Sequence, residues 1–167
     1  MILYIRHGQT DCNMRKIWMG SIDSPLNEQG IIQARDIALE LSKISINKIY
    51  SSPLCRAHET AMLIAEQQDI KPEIIIVPGL RERGLGGLEG TVKSEEARRK
   101  INSCPSVEAE QLFKARVKNS MSEIDKSGNV LIVSHSAVFR CLIESLGCMT
   151  IPCVQKINNC QVVELML

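Results

Sequence analysis

The sequence has almost no net charge, few histidines and no long apolar run. Lys and Arg number 20 against 19 Asp and Glu, a formal charge of +1. No broad field therefore draws the chain to nucleic acid or to an anionic membrane, and positive charge used in function must be focused locally. No apolar stretch approaches the length of a membrane span. The first apolar run breaks at Arg6 and a hydrophilic stretch follows, which reads against a signal peptide. The seven cysteines, at positions 12, 55, 104, 141, 148, 153 and 160, include no CxxC pair and no zinc-like Cys/His spacing. They are expected to be reduced small hydrophobes in a cytoplasmic protein. Internal repeats and low-complexity linkers are absent.

What is present is an ordinary globular composition, 44% apolar and 23% charged over 167 residues. That length suits one domain with a proper core, expected over 1–167. Strand-like runs recur at Met1–Ile5, Ile46–Tyr50, Glu73–Val77, Val130–Val133 and Gln161–Met166. Helical spacing fills the intervals: Ile31, Ala34, Ile37, Ala38 and Leu41; then Leu54, Ala57, Ala61, Ile64 and Ala65; then Phe113, Val117, Met121 and Ile124; and last Val138, Cys141 and Leu142. Ser52 is the expected N-cap of the second helix, with Pro53 at its first position. Alternating strands and helices predict an α/β fold, a three-layer α/β/α sandwich around a mostly parallel sheet. A short helical cap insertion is expected at roughly 91–128.

In such sheets ligands bind beyond the carboxyl ends of the strands. Arg6-His7, Ser51-Ser52 and Ser134-His135 all follow strand-like runs, and a further run leads into "GLRERG". Arg56 stands one turn into the helix after the second strand, and Asn13 is near enough to fold its amide over His7. Two guanidinium forks, two imidazoles and an amide, without metal-ligand spacing, suit a phosphoryl group. A histidine kept neutral among cations can attack phosphorus. Glu82 is the carboxylate placed to protonate the leaving oxygen, unless it simply pairs with Arg81 and Arg83.

The segments "LYIRHGQTDCN", "DSPLNEQGIIQA", "IYSSPLCRAHETA", "LRERGLGGLEG" and "VLIVSHSAVFR" occur in that order. Together they resemble the histidine phosphatase superfamily, in its phosphoglycerate mutase-like branch. The resemblance runs from Leu3 to the closing "INNCQVVELML", except for roughly Thr91 to Asn129. It implies that His7 forms a phosphohistidine, that Arg6, Arg56 and His135 bind phosphoryl oxygens, and that Asn13 and Gln9 or Thr10 lie beside them. It also implies that Glu82, in the L-x-E-x-x-x-G segment, is the proton donor. An edge strand running against the sheet is implied too, with no metal and no cofactor.

This chain departs from the family pattern at several positions. Cys12 stands where tryptophan is usual, and Ile17 where an arginine is usual, with Arg15 nearby. Ser136 replaces a common glycine; its hydroxyl either reaches the substrate or caps the following helix. His58 is expected on an exposed helical face, Arg140 in a structural ion pair, and Trp18 either at the pocket mouth or in the core. The basic run "KSEEARRK" reads as a solvated helix face, or as a cover over a second phosphate. Three functions compete: a metal-independent phosphomonoester hydrolase acting on a small phosphorylated metabolite, a mutase, and a phosphate- or protein-binding module without turnover. The expected partner is a small phosphorylated substrate, with no nucleic acid and no membrane, for a monomer or homodimer. The presence of Glu82 favours oxygen esters over phosphoramidates within the resemblance.

Overall fold

A computed structural model describes residues 1–167. Six strands form one sheet: β1 (Ile2–Arg6), β2 (Lys48–Ser51), β3 (Glu73–Ile76), β4 (Val130–Ser134), β5 (Met149–Ile151) and β6 (Val162–Met166). Their spatial order is β3-β2-β4-β1-β6-β5. The first four are parallel, whereas β6 pairs antiparallel to β1 and β5 antiparallel to β6. The fold is thus the expected α/β/α sandwich with a mostly parallel sheet. One strand, β6, runs against the others, but it is not the edge: β5, three residues long and too short to show a period in the sequence, lies beyond it and runs with β1.

The parallel strands are apolar on both faces because helices cover both. Leu3, Ile5, Ile49, Leu131 and Val133 face α2 (Glu28–Leu41) and α3 (Cys55–Glu66), which approach through Ala34, Ala38, Ala57 and Ala61. Tyr4, Tyr50, Val130 and Ile132 face α5 (Glu110–Glu123) and α6 (Ser136–Leu146) through Phe113, Val117, Val138 and Leu142. Two smaller helices, α1 (Asp11–Met14) and α4 (Glu95–Lys100), lie in the loops. Within 91–128, then, α5 belongs to a core layer, and α4 with its flanks is the part left to overhang the sheet edge.

Asn27 caps α2, its side chain accepting the Gly30 N–H at 2.8 Å. Helix α3 departs from expectation. It begins at Cys55, with Leu54 as an extended N-cap that makes no side-chain bond. Asp23 Oδ1 takes the Cys55 N–H at 2.7 Å instead, so the cap comes from a distant loop and Ser52 is free for another use. Gly147, at φ +71°, closes α6 in the left-handed conformation usual at a helix end.

Register fixes where polar residues gather. Arg6 pairs with Ser134 across β1 and β4, and Ser51 with Val133 across β2 and β4. The chain leaves β1 toward α2 on one face and β4 toward α6 on the other. The crevice between two such strand ends is where open α/β sheets bind ligands. His7 and His135 stand at its two sides. All seven cysteines are free, and no helix is long and apolar enough to cross a membrane.

Candidate active site

His7 follows β1 at 2% exposure, its backbone N–H bonded to the Ser134 carbonyl at 3.0 Å. Its Nδ1 lies 2.7 Å from the Gly8 carbonyl. A carbonyl oxygen only accepts, so Nδ1 carries hydrogen and Nε2 keeps its lone pair. Gly8 itself is dictated by crowding: a Cβ there would lie 2.6 Å from the Gly30 carbonyl oxygen at the start of α2. Burial, then the charges of Arg56 and Arg6, hold His7 protonation well below the ordinary imidazole range. The ring is a neutral base with its free nitrogen away from the backbone.

His135 is fully buried, its ring centroid 5.1 Å from that of His7. Tyr4, buried in β1, brackets its main chain: the hydroxyl donates to the His135 carbonyl at 2.7 Å and accepts its N–H at 3.1 Å. Burial and Arg56 also hold this imidazole well below the ordinary range. Ser52 Oγ lies 2.7 Å from its Nε2.

The two arginines are anchored by carbonyls. Arg56 Nη1 and Nη2 donate to the Ile22 and Gly20 carbonyls at 2.7 and 3.0 Å, and Arg6 Nη1 donates to the Ile157 carbonyl at 3.2 Å. Burial lowers both guanidinium pKa values, while Glu82 raises them. Arg6 Nε, Arg56 Nε and His135 Nδ1 are all buried without a hydrogen-bond partner. Buried polar atoms are normally paired, so unpaired ones gathered around one imidazole call for a ligand.

Glu82 is held from behind. Arg116, on α5, donates to the carbonyls of Gly79, Arg81 and Glu82 at 2.7, 2.7 and 3.0 Å, and pairs with Glu108 at 2.7 Å. Ser134 Oγ donates to the Leu80 carbonyl at 2.7 Å and ties the same loop to β4. Arg81 pairs with Glu108, and the Arg83 side chain goes to the Glu108 carbonyl and Asn102, so neither neighbouring guanidinium holds Glu82. The Glu82 carboxylate accepts the Arg83 N–H at 3.0 Å, and its other oxygen lies 3.4 Å from the Ala137 nitrogen in the first turn of α6.

Arg6, His7, Asn13, Arg56, Glu82 and Ser136 line a cavity of about 80 Å³, and His135 lies just outside its lining, beside the His7 ring. Its mouth carries Trp18, Arg83, Lys93 and Arg140, and beyond Arg83 and Arg140 it meets an open groove of about 290 Å³. Five of its lining side chains are arginine or lysine and one, Glu82, is acidic.

Gln9 and Thr10, expected beside the phosphoryl oxygens, are not brought to this cavity. Thr10 is buried as the N-cap of α1, its hydroxyl accepting the Asn13 N–H and donating toward Met19 Sδ. Gln9 accepts from Asn27 at 3.1 Å. Asn13 does face the cavity, with Oδ1 held by the Thr10 N–H and by Asn159 Nδ2 at 3.1 and 3.2 Å. Ser136 lines the wall and makes no capping bond. Arg140 has no ion-pair partner and faces both hollows, contrary to its expected structural role. Trp18 stands at the mouth, with Lys93 Nζ 5.3 Å and the Arg98 guanidinium 5.7 Å from its ring centroid. The solvated-face reading holds for Arg99 and Lys100, paired to Glu95 and Glu96. It fails for Lys93, which is half-buried. His58 is half-buried rather than exposed, and Arg15 lies outside the cavity.

Missed by sequence reasoning were Tyr4, Ser52, Arg116 and Asn159, whose Nδ2 also donates to the His7 carbonyl at 2.8 Å. Only Ser52 carried a signal, its place at a strand end.

An α/β/α sheet with paired histidines at the crevice between its parallel strands defines a phosphoryl-handling enzyme. The chain belongs to the histidine phosphatase superfamily (branch 1), whose profile matches residues 2–167. It is a histidine phosphatase. A metal-independent phosphoserine phosphatase of Arabidopsis thaliana is 33% identical over 158 residues, covering 84% of this chain and 66% of that protein. The uncharacterized phosphatase PhoE of Bacillus subtilis is 30% identical over 150 residues, 87% of this chain and 77% of the relative. A mycobacterial glucosyl-3-phosphoglycerate phosphatase solved with VO3 superposes with a TM-score of 0.74 at 26% identity, over 87% of this chain and 79% of the other.

Proposed function

We propose that this protein hydrolyses phosphomonoesters of small metabolites through a phosphohistidine on His7, without a metal. The observation that carries the reading is the set of partnerless buried atoms, Arg6 Nε, Arg56 Nε and His135 Nδ1, beside an imidazole whose Nδ1 hydrogen is already committed. His7 Nε2 attacks phosphorus and the bond to the ester oxygen breaks. Protonated Glu82 gives its proton to that oxygen. A water then attacks the phosphohistidine, leaves its proton on Glu82, and frees His7 and phosphate. Arg6, Arg56 and His135 stabilise charge on the equatorial oxygens throughout. Asn13 and Ser136 border the same space.

Substrate class follows from the mouth. Arg83, Lys93 and Arg140 exceed what one phosphoryl dianion needs, so the favoured leaving group bears its own anionic group, such as a carboxylate. Within 91–128, α4 and its flanks serve as the cap of this single domain, while α5 packs in a core layer. The seven free cysteines suit a reducing compartment, and the cytoplasm belongs to the same proposal.

A mutase reading has one observation in its favour, the half-buried Lys93 in the cavity wall. Against it, the overhang is a single six-residue helix, little wall with which to keep water from a phosphohistidine. Phosphate release from a panel of phosphomonoesters in EDTA, with 3- and 2-phosphoglycerate scored separately, tests both. Metal-free release that needs His7 supports the hydrolase. Isomerisation without release would replace it with the mutase, and no turnover of any ester would leave a binding protein.

A further inference from the structure

We infer that Ser52 sets the tautomer of His135, fixing its ring hydrogen on Nδ1 and so turning that atom into a donor toward the substrate. Ser52 is fully buried, just beyond β2, and its position is clamped from two sides. Its N–H donates to the Val133 carbonyl at 3.0 Å, and its own carbonyl accepts from Ser51 Oγ at 3.0 Å. Its hydroxyl oxygen has two neighbours: the Leu54 N–H at 3.3 Å and His135 Nε2 at 2.7 Å.

The assignment follows from counting hydrogens. An amide N–H only donates, so Leu54 uses a lone pair of Ser52 Oγ and leaves the hydroxyl hydrogen in need of an acceptor. His135 Nε2 is the atom within reach. Were Nε2 protonated, the serine would accept twice, its own hydrogen would be buried without a partner, and Nδ1 would be a bare lone pair. With the hydroxyl donating to Nε2, both atoms are satisfied and the neutral ring must carry its hydrogen on Nδ1. Burial and the charge of Arg56, which keep His135 from protonating, make the choice of tautomer matter, because a doubly protonated ring would donate from either nitrogen.

Nδ1 is the buried atom that has no partner in the protein. As N–H it attracts a phosphoryl oxygen; as a lone pair it repels one. Ser52 therefore acts as a positioning residue, deciding the sign of that contact without touching substrate. The consequence for catalysis rests on the phosphatase reading above, but the tautomer itself does not.

The test is the histidine ring ¹⁵N spectrum of the full-length protein at neutral pH, joined to phosphate affinity and turnover. The wild-type ring of His135 should show a pyrrole-type Nδ1 and a pyridine-type Nε2; the reverse pattern would overturn the inference whatever any variant does. Ser52→Ala should mix the two forms, weaken competitive inhibition by inorganic phosphate about 10-fold, and lower kcat/KM by about 10- to 100-fold. Ser52→Thr, which keeps the hydroxyl, should restore both the spectrum and the rate to within about threefold. Phosphate affinity and turnover of Ser52→Ala within about twofold of wild type would sink the catalytic consequence. A wild-type protein with hydrogen on Nδ1 that neither binds phosphate nor hydrolyses any ester would uphold the tautomer and sink the phosphatase reading instead.

Discussion

The floor and the mouth of the candidate active-site cavity are built by different means. On the floor, His7 and Arg56 are 2% and 0% exposed, with His135 fully buried beside His7. The Ser134 carbonyl fixes the His7 main chain, the Gly20 and Ile22 carbonyls fix the Arg56 guanidinium, and the Tyr4 hydroxyl fixes the His135 main chain. At the mouth, Lys93 and Arg98 hang from a six-residue helix and its flank, held by cation–π contact with Trp18 and a single antiparallel bridge between Ile17 and Val92. The floor groups are stiff, desolvated and shared by any phosphoryl ester. The mouth groups range from half-buried to exposed and are placed to meet what lies beyond the ester oxygen. Chemistry is therefore expected to depend on the floor for every substrate, and discrimination on the mouth for some.

The largest effect should come from His7→Ala. With the nucleophile gone, kcat should fall at least about 10⁴-fold for every ester, while the circular dichroism spectrum stays that of the wild type. Appreciable residual turnover would remove His7 from its proposed role and, with it, the idea that the floor serves all substrates alike. Glu82→Gln probes the boundary between the two regions, since the carboxylate reaches from the floor toward the leaving group. Alkyl phosphates should lose about 100-fold in kcat, and nitrophenyl phosphate, whose leaving group needs no proton, only a few-fold. Equal losses on both would make Glu82 a binding group.

The floor should also leave its mark on stability. Both imidazoles are held neutral in the folded protein, with pKa values well below the 6.5 of an exposed histidine. Above pH 6.5 neither state takes up a proton there and the two histidines contribute no slope. As pH falls below 6.5, the unfolded chain binds protons that the folded one refuses, so stability drops by about 1.4 kcal/mol per histidine per pH unit at the steepest. Denaturant unfolding between pH 7 and 5 should show that decline, and His7→Gln should reduce its slope by the share of one histidine. A flat profile would mean that water enters the floor.

How far this was legible from the sequence divides along the same line. Arg6, His7 and His135 announce themselves because a charged or titratable residue at the end of an apolar strand has few structural uses, and Arg56 and Glu82 through the segments that carry the family resemblance. The strand runs, the mostly parallel sheet and the apolar helix faces followed from period and alternation alone. What stayed hidden depends on contacts between distant segments. Ser52 before Pro53 reads as a helix cap, and only the arrival of Asp23 at the Cys55 N–H frees it for His135. Asn159 reaches Asn13 across 146 positions, and no local pattern reports such a pairing. Gln9 and Thr10 erred the other way. Their nearness to His7 in sequence suggested the cradle, whereas the capping preference of threonine turned Thr10 into the start of α1. Arg140 was given an ion pair because surface arginines usually find one, and the hollow it faces belongs to tertiary structure.

The smallest effect expected is also the one that separates the two regions most cleanly. Lys93 lines the cavity mouth, half-buried, and burial followed by the charge of Arg6 lowers its pKa. On the proposed mechanism it faces the path of the leaving group rather than the phosphoryl site. Lys93→Met keeps the length and the packing against Trp18 while removing the charge. For an ester whose leaving group carries a carboxylate, KM should rise about fivefold with kcat little changed, the mark of a contact made equally in ground and transition states. For an uncharged alkyl phosphate, neither constant should move, and added salt should shrink the difference between the two substrates. If instead both substrates lost kcat together, Lys93 would be acting on the phosphoryl group itself. The mouth would then be an extension of the floor, and selectivity would have to come from the wider groove beyond Arg140.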